Sequence, residues 1–345
     1  MKTVFITGAA GFLGSHLTDE MLRKGYRVIG YDNLSHGHLR NLEDAFQHPQ
    51  FTFREGNVCD AQVMREAAAS VQVDTVIHLA AFKIPRYGKA TETMLINSLG
   101  TLNTLHLAVD HRAKFVITST SDVYGKNPAL PFNEDGDSVL GPPTISRWAY
   151  AASKLFDEHL VLAMSEEKDF PATVIRIFGS YGPRQHQSWW GGPQSVFIDA
   201  VLRNQVIPIH GDGLQTRSFT YVADTVRGIA AVAEADCLDR EIVNIGGDRE
   251  VTILQLAKMV HRLCDVPWPL QLKMVPYDQI ASRRYEDVRR RIPDTRKAKR
   301  ALGFEAKISL EDGLRKTIEW QRLFIDFERE KGIVQAPEVQ GATLQ

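Results

Sequence analysis

The chain has 345 residues, of which 43% are hydrophobic and 24% are charged, and its formal net charge is −1 at pH 7. This length and composition suit a large globular protein and exclude a largely disordered chain. The charge balance excludes a general attraction to nucleic acid or to an anionic membrane surface.

The three cysteines are far apart, so their spacing indicates neither a disulfide framework nor a zinc site, and we predict no metal. The apolar run at the N-terminus is interrupted by Gly8, Gly11 and Gly14 and lacks the cleavage site of a secretory signal. No uninterrupted apolar run approaches about 18 residues, the length a membrane span needs. We therefore expect a cytoplasmic protein.

Short apolar runs alternate with helical patterns along most of the chain. Strands are predicted at 3–6, 26–31, 51–54, 75–78, 115–117, 173–177 and 242–245, and helices at 12–24, 61–69, 91–110, 149–166, 252–263 and 310–324. Near-continuous apolar strands separated by helices indicate a parallel sheet with helices on both faces. The predicted fold class is α/β, with a doubly wound Rossmann sheet.

The alternation of strand and helix is lost near residue 180, which we take as a domain boundary. Residues 1–180 are predicted to form the first domain, with about 210–248 returning to it, and 181–335 a second one. Residues 185–194 are predicted to form a long loop and 336–345 a loose tail.

A glycine triplet, Gly8, Gly11 and Gly14, follows the first strand and opens the first helix. Glycines in this context permit a tight turn and a close approach of the backbone to a pyrophosphate at the helix N-terminus. Asp32 ends the second strand, where a carboxylate accepts hydrogen bonds from ribose hydroxyls and repels a 2′-phosphate. The pattern therefore predicts a site for NAD rather than NADP.

Further cofactor-binding residues are expected in the same helix start and in the segments that follow the second, third and fourth strands. These residues are Phe12, Leu13, Asn33, Asn57, Val58, Leu79, Ala80 and Ala81. Tyr150 and Lys154, in a later helix, are expected at the cofactor as well.

Candidate catalytic residues follow the fifth strand and begin the long helix near residue 150. Tyr150 and Lys154 are four residues apart and share one helix face. We expect the Lys154 charge and the charge of the bound nicotinamide to lower the pKa of the Tyr150 hydroxyl, which would then act as a base, and Thr120 to share the proton. Ser121 and Asp122 follow Thr120 in the same segment.

With these motifs the chain resembles the extended short-chain dehydrogenase/reductases, in their nucleotide-sugar epimerase/dehydratase branch, over about residues 2–325. The resemblance rests on Gly8, Gly11 and Gly14, Asp32, 78–81, Asn97, 118–125, Tyr150 and Lys154, 176–178, 181–184 and 211–222. It implies NAD-dependent chemistry on a nucleoside diphosphate sugar, expected to be UDP-linked, and a smaller C-terminal substrate domain. It also implies a homodimer formed through the helices at 91–110 and 149–166, and roles for Lys83 and Asn97 at the cofactor.

Basic residues in the second half suit a diphosphate, because arginine binds phosphate through two parallel hydrogen bonds. The candidates are Arg184, Arg217, Arg284 and Arg291, the last two from a stretch with five arginines in 283–291.

The sequence leaves the reaction open. Arg147-Trp148, the acidic residue at Asp122 and the segment 291–294 resemble UDP-glucuronate decarboxylases, although that family has Glu at the Asp122 position. Lys83 and the segment 182–185 resemble epimerases. We predict a 4-epimerase acting through a 4-keto sugar, with UDP-glucuronate decarboxylase as the alternative, and then a 4,6-dehydratase or a non-catalytic NAD-binding regulator.

Overall fold

The computed structural model of the protein describes residues 1–83, 89–280 and 285–330, with the backbone alone for 327–330. Its strands are β1 Thr3–Thr7, β2 Arg27–Asp32, β3 Phe51–Glu55, β4 Thr75–His78, β5 Lys114–Thr120, β6 Ala172–Ile177, β7 Ser180–Tyr181, β8 Ile207–His210, β9 Thr216–Ser218, β10 Thr220–Tyr221, β11 Glu241–Ile245, β12 Glu250–Thr252, β13 Leu272–Val275 and β14 Arg290–Arg291. Its α-helices are α1 Phe12–Arg23, α2 Glu43–Phe46, α3 Ala61–Ala68, α4 Ala90–His111, α5 Trp148–Lys168, α6 Pro193–Leu202, α7 Val222–Glu234, α8 Ile253–Cys264, α9 Arg296–Leu302 and α10 Leu310–Glu330.

A seven-stranded sheet in the order β3-β2-β1-β4-β5-β6-β11 forms the centre of the fold. All of its neighbouring strands run parallel. Val4 and Ile6 of β1 pack into one apolar cluster and Phe5 into another, because successive side chains point to opposite faces of a strand. The predicted α/β fold with a Rossmann-like parallel sheet is confirmed.

Helices cover both faces of this sheet. On one face α4 packs along α5 and against α3, and on the other α1 packs against α7. Among the described residues, no helix combines the length and the apolar character needed to cross a membrane.

The second half of the chain adds small sheets, β7 with β10, β8 with β13, and β12-β9-β14. β11 returns to the central sheet and pairs with β6. The predicted division into two domains stays a prediction, and the predicted tail lies outside the described residues.

The predicted loop at 185–194 is two residues too long, because Pro193 begins α6. Proline suits the first position of a helix, where no partner for its missing N–H is needed. The sequence analysis assigned no helix to α6 because most of its residues are buried, which hides the polar stripe of an amphipathic helix.

Candidate active site

The turn between β1 and α1 depends on glycine at two positions for different reasons. Gly8 has a φ of +71°, and a Cβ on Gly14 would lie 2.0 Å from the carbonyl oxygen of Gly8. The N-cap of α1 is Gly11, which supplies no side-chain hydrogen bond to the first turn. The first N–H groups of α1 are therefore available to an anion.

These glycines line a cleft of about 620 Å³ at the carboxyl ends of the central strands. The predicted cofactor residues that line it are Gly8, Gly11, Phe12, Leu13, Gly14, Asp32, Asn33, Asn57, Val58, Leu79, Ala80, Ala81, Lys83 and Tyr150. Burial lowers the pKa of Lys83 to about 8.

Asn97 is not among the residues that line this cleft, and its predicted role at the cofactor stays a prediction. Its side chain is buried, accepts a hydrogen bond from the backbone N–H of Phe82 at 2.7 Å and donates one to Ser153 Oγ at 3.0 Å. Because these hydrogen bonds connect the segment after β4 to α4 and α5, Asn97 positions that segment.

The Asp32 carboxylate lies in the same cleft beside the glycine turn. It accepts hydrogen bonds from the backbone N–H groups of Ala10 at 3.0 Å and Leu34 at 2.8 Å, which fix its orientation at the end of β2. A glycine cradle, an uncapped helix start and a fixed carboxylate together fit a dinucleotide.

Thr120 and Tyr150 line this cleft together, Thr120 from the end of β5 and Tyr150 from the first turn of α5. Lys154 lies one turn further along α5, where its Nζ makes a 2.9 Å ion pair with Asp157. Both side chains are almost fully buried, at 1% and 0% exposure.

The predicted lowering of the Tyr150 pKa is wrong for the protein alone. Burial raises this pKa, and the negative charges of Asp122 and Asp157 raise it further, whereas Arg291 opposes them. Asp157 was missed by the sequence analysis, and it neutralises the Lys154 charge that was expected to act on the tyrosine.

Five charged side chains beside Tyr150 form what we call the charged network. Arg147 contacts both carboxylates, Asp122 at 3.3 Å and Asp287 at 3.1 Å. Arg217 pairs with Asp287 at 2.8 Å, and Arg291 pairs with Asp122. The network therefore has three positive and two negative members.

The charges of this network keep both carboxyl groups ionised. Burial alone would raise the pKa of Asp122, but Arg291 and Arg147 outweigh it and hold that pKa below its usual range. Burial is likewise outweighed at Asp287, where Arg217 and Arg147 lower the pKa to about 2.

The network lines a second pocket, of about 290 Å³, which shares a wall with the cofactor cleft. The shared wall includes Lys83, Ser121, Asp122, Tyr150, Trp190 and Arg291. We call this second cavity the substrate pocket, and the part that it does not share with the cleft contains Trp189, His210 and Arg217.

The four arginines predicted to bind substrate fall into three groups. Arg217 and Arg291 line the substrate pocket, and Arg284 lies outside the described residues. Arg184 lines the cofactor cleft instead, because it has a φ of +64° and pairs with Asp19 of α1 at 2.6 Å.

The other two described arginines of the basic stretch turn outward. Arg289 pairs with Asp212 and Arg290 with Glu250, each at 2.8 Å on the protein surface.

The sequence analysis gave no site role to Arg147 or Asp287. Arg147 lies three residues before Tyr150 at the start of α5, so helical spacing could have placed them on one side. Asp287 is one of two acidic residues among the arginines of 283–291. Acidic residues in a basic stretch indicate candidate ion-pair partners, but only the arginines were considered.

The family model for GDP-mannose 4,6 dehydratase matches residues 5–317. The chain belongs to this family. The resemblance to NAD-dependent nucleotide-sugar epimerases and dehydratases is thereby confirmed.

Within the family the chain is 35% identical to the UDP-N-acetyl-alpha-D-glucosaminuronate decarboxylase of Bacillus cytotoxicus, over 93% of this chain and 98% of that one. It is also 35% identical to UDP-glucuronic acid decarboxylase 1 of Danio rerio, over 92% of this chain and 72% of that one. A solved UDP-glucuronic acid 4-epimerase from Bacillus cereus, a variant in complex with a fluorinated UDP-glucuronic acid and NAD, superposes with a TM-score of 0.81. Its sequence is 26% identical, and the match covers 93% of this chain and 99% of that one.

Proposed function

We propose that this protein is an NAD-dependent decarboxylase of a UDP-linked uronic acid, either UDP-glucuronate or its 2-acetamido counterpart. The observation that carries the proposal is the charged network beside Tyr150, whose excess positive charge suits a sugar with a carboxylate of its own. The names of the two decarboxylase relatives support the same substrate class. They favour this alternative over the 4-epimerase that the sequence analysis preferred.

The first step is oxidation of the sugar at C4, for which bound NAD supplies the hydride acceptor. Tyr150 accepts the proton of the 4-hydroxyl, for which the positive charge of a bound nicotinamide would offset the effect of burial on the pKa of Tyr150, and Thr120 orients that hydroxyl. The N–H groups of the α1 start would hold the phosphate of the dinucleotide, and the carboxylate of Asp32 its ribose.

The second step breaks the C5–C6 bond of the 4-keto sugar and releases carbon dioxide, while the bonding electrons move toward the C4 carbonyl. C5 takes up a proton from water. Return of the hydride to C4, with the proton held by Tyr150, gives the UDP-pentose and would restore the cofactor to its starting oxidation state. Asp122 is ionised, so it does not donate the proton that C5 then takes up. Its charge competes with the substrate carboxylate for Arg147 and Arg291. The pocket thus binds the substrate carboxylate without stabilising it fully. Loss of carbon dioxide removes the repulsion between this carboxylate and Asp122.

Labelled substrates test the proposal directly. Purified protein is incubated with UDP-glucuronate labelled with ¹³C at C6, and separately with its 2-acetamido counterpart, and products are followed by NMR. We expect labelled carbon dioxide and a UDP-pentose from one of them, and neither product from Tyr150→Phe.

The other outcomes identify the alternatives. A C4-inverted sugar that retains all its carbons establishes the 4-epimerase, which the similarity to the Bacillus cereus enzyme makes the second candidate. A 4-keto-6-deoxy product from UDP-glucose establishes a dehydratase. Absence of any product with bound NAD supports a regulator and contradicts the proposal.

The predicted homodimer remains part of this proposal. Met94, Leu95 and Leu99 on α4 and Phe156 on α5 are large apolar side chains that are exposed, and α4 packs along α5. A second copy placed on these two helices would bury them. Analytical ultracentrifugation should give a dimer for the protein and a monomer for a Leu95→Glu/Phe156→Glu variant.

A further inference from the structure

Three aromatic rings from distant parts of the chain meet at the cofactor cleft. His36 stacks on Trp190 with ring centroids 4.0 Å apart and planes within 8° of parallel. Phe82 meets Trp190 edge-to-face at 5.2 Å and His36 at 5.6 Å. All three line the cleft, and none has a role in the mechanism above.

The order of the strands fixes where this cluster lies. His36 follows β2 and Phe82 follows β4, and these two strands flank β1 in the sheet. Neighbouring strands are about 4.8 Å apart, so the ends of β2 and β4 are separated by about 10 Å. Contact between the two rings therefore bridges the end of β1, where the glycine turn begins.

The third ring belongs to residues 186–191, which we call the strap. Buried Gln185 anchors its beginning through hydrogen bonds to the carbonyls of Ser180 and Gly191. Within the strap, Ser188 Oγ accepts from Trp190 N at 3.2 Å, and Gly191 N donates to the carbonyl of Ser188 at 2.8 Å. These bonds give the strap a defined shape, which presents Trp190 to His36.

The two adjacent tryptophans of the strap differ in the cavities that they line. Trp189 stacks on His210 at 4.1 Å and lines the substrate pocket but not the cofactor cleft, whereas Trp190 lines both. Trp189 is therefore a matched control for Trp190.

We propose that His36, Phe82 and Trp190 form an aromatic clasp over the glycine turn that slows release of the bound dinucleotide. The inference rests on the NAD site of the proposed function but not on the sugar reaction. The proposed decarboxylation leaves the cofactor in its starting oxidation state, so a slowly released dinucleotide can serve many turnovers. Trp190 takes part in two of the three ring contacts, so losing its ring should accelerate release by about tenfold.

The test measures release of NADH from the full-length protein in the absence of sugar. The protein is loaded with NADH, mixed rapidly with excess NAD, and the fall in NADH fluorescence gives the release rate. We expect Trp190→Ala to release NADH about tenfold faster than the parent and Trp190→Phe to stay within about threefold of it. Trp189→Ala should release NADH at the parental rate and bind UDP more weakly.

A double-mutant cycle separates the clasp from general loosening of the loop. If the two rings act together, His36→Ala should accelerate release severalfold in the parent but by less than about twofold in Trp190→Ala. Phe82→Leu provides the same readout should Trp190→Ala fail to fold, as judged by circular dichroism. Release from Trp190→Ala, or from Phe82→Leu in its place, within twofold of the parent overturns the clasp. Failure of the parent to bind NADH overturns the cofactor assignment itself.

Discussion

The cofactor cleft and the substrate pocket are adjacent but are built in different ways. Segments that follow β1 to β4 supply about half of the residues that line the cleft, and its turn depends on backbone conformation at glycine. The pocket depends on charged side chains far apart in sequence, such as Asp122 and Arg291, which are 169 residues apart. The position of the strand ends therefore determines the cleft, whereas ion pairs between residues distant in sequence determine the charge of the pocket.

This contrast predicts that substitutions in the pocket change the reaction and that substitutions in the cleft change cofactor affinity. Tyr150, in the wall shared by both, should give the largest effect. Tyr150→Phe removes the base and should lower turnover by about 10²–10⁴-fold while leaving NAD binding intact. Turnover is measured by NMR and binding by calorimetry.

Tyr26→Phe is a suitable control for this variant, because the Tyr26 hydroxyl bonds Glu234 on the surface and touches neither cavity. Activity of Tyr150→Phe within a few-fold of the parent would show that the base is another group.

Asp122→Asn tests whether the carboxylate of the network acts on the carbon–carbon bond. Removing its charge should strengthen binding of the uronate to Arg147 and Arg291 and stabilise the carboxylate that must be lost. We expect kcat to fall by about tenfold or more and KM to fall as well, the pattern of a lost ground-state repulsion.

The control is Asp212→Asn, which removes a carboxylate paired with an arginine on the surface. An Asp122→Asn variant with unchanged kcat and raised KM would show that Asp122 contributes to substrate binding alone.

Asp32→Ala addresses the cleft and should leave the reaction of the bound cofactor intact. Without its carboxylate the protein should bind NAD about tenfold more weakly and discriminate less against NADP, because a hydrogen bond to a charged group contributes about 1.5–3 kcal/mol. Calorimetric titration with both dinucleotides measures this. Equal affinity of the parent protein for NAD and NADP would contradict the assignment.

Asp294 gives the smallest effect and lies outside both cavities. Hydrogen bonds from Arg296, opposed by burial, lower its pKa to about 2. A carboxyl group with a lowered pKa stabilises the fold above its unfolded pKa of about 3.9, and this contribution is lost as the pH falls toward 2.

Asp294→Asn should therefore reduce the free energy of unfolding at pH 7 by about 1–2 kcal/mol. Between about pH 4 and 2 the free energy of unfolding of the variant should fall less steeply than that of the parent. Urea unfolding at several pH values checks both effects, with exposed Asp248→Asn as the control. An unchanged decline below pH 4 would assign acid sensitivity to other groups.

The central sheet and most of the cofactor cleft could be predicted from sequence because their signals are local. β1, the glycines and Asp32 lie within 30 consecutive positions. The apolar strand, the glycine turn and the carboxylate each have a role that their residue types alone indicate. No local pattern, by contrast, reveals that the hydrogen-bond partners of Asn97 are the Phe82 backbone and Ser153.

The charged network could be predicted only in part. Arg217 and Arg291 were identified as basic groups, but no local pattern pairs Arg291 with Asp122 or places Asp287 between Arg147 and Arg217. The Lys154–Asp157 pair is three residues apart and was accessible to helix spacing, yet its burial, which decides its effect on Tyr150, was not.

The wall shared by the two cavities also has a kinetic consequence. Because Ser121, Asp122, Tyr150 and Trp190 line both cavities, a sugar nucleotide in the substrate pocket obstructs the adjoining end of the cofactor cleft. We expect a compulsory order of binding, in which the dinucleotide enters first and leaves last. Saturating UDP should then suppress exchange of labelled NAD with solution, and one dinucleotide would accompany the protein through many successive sugars.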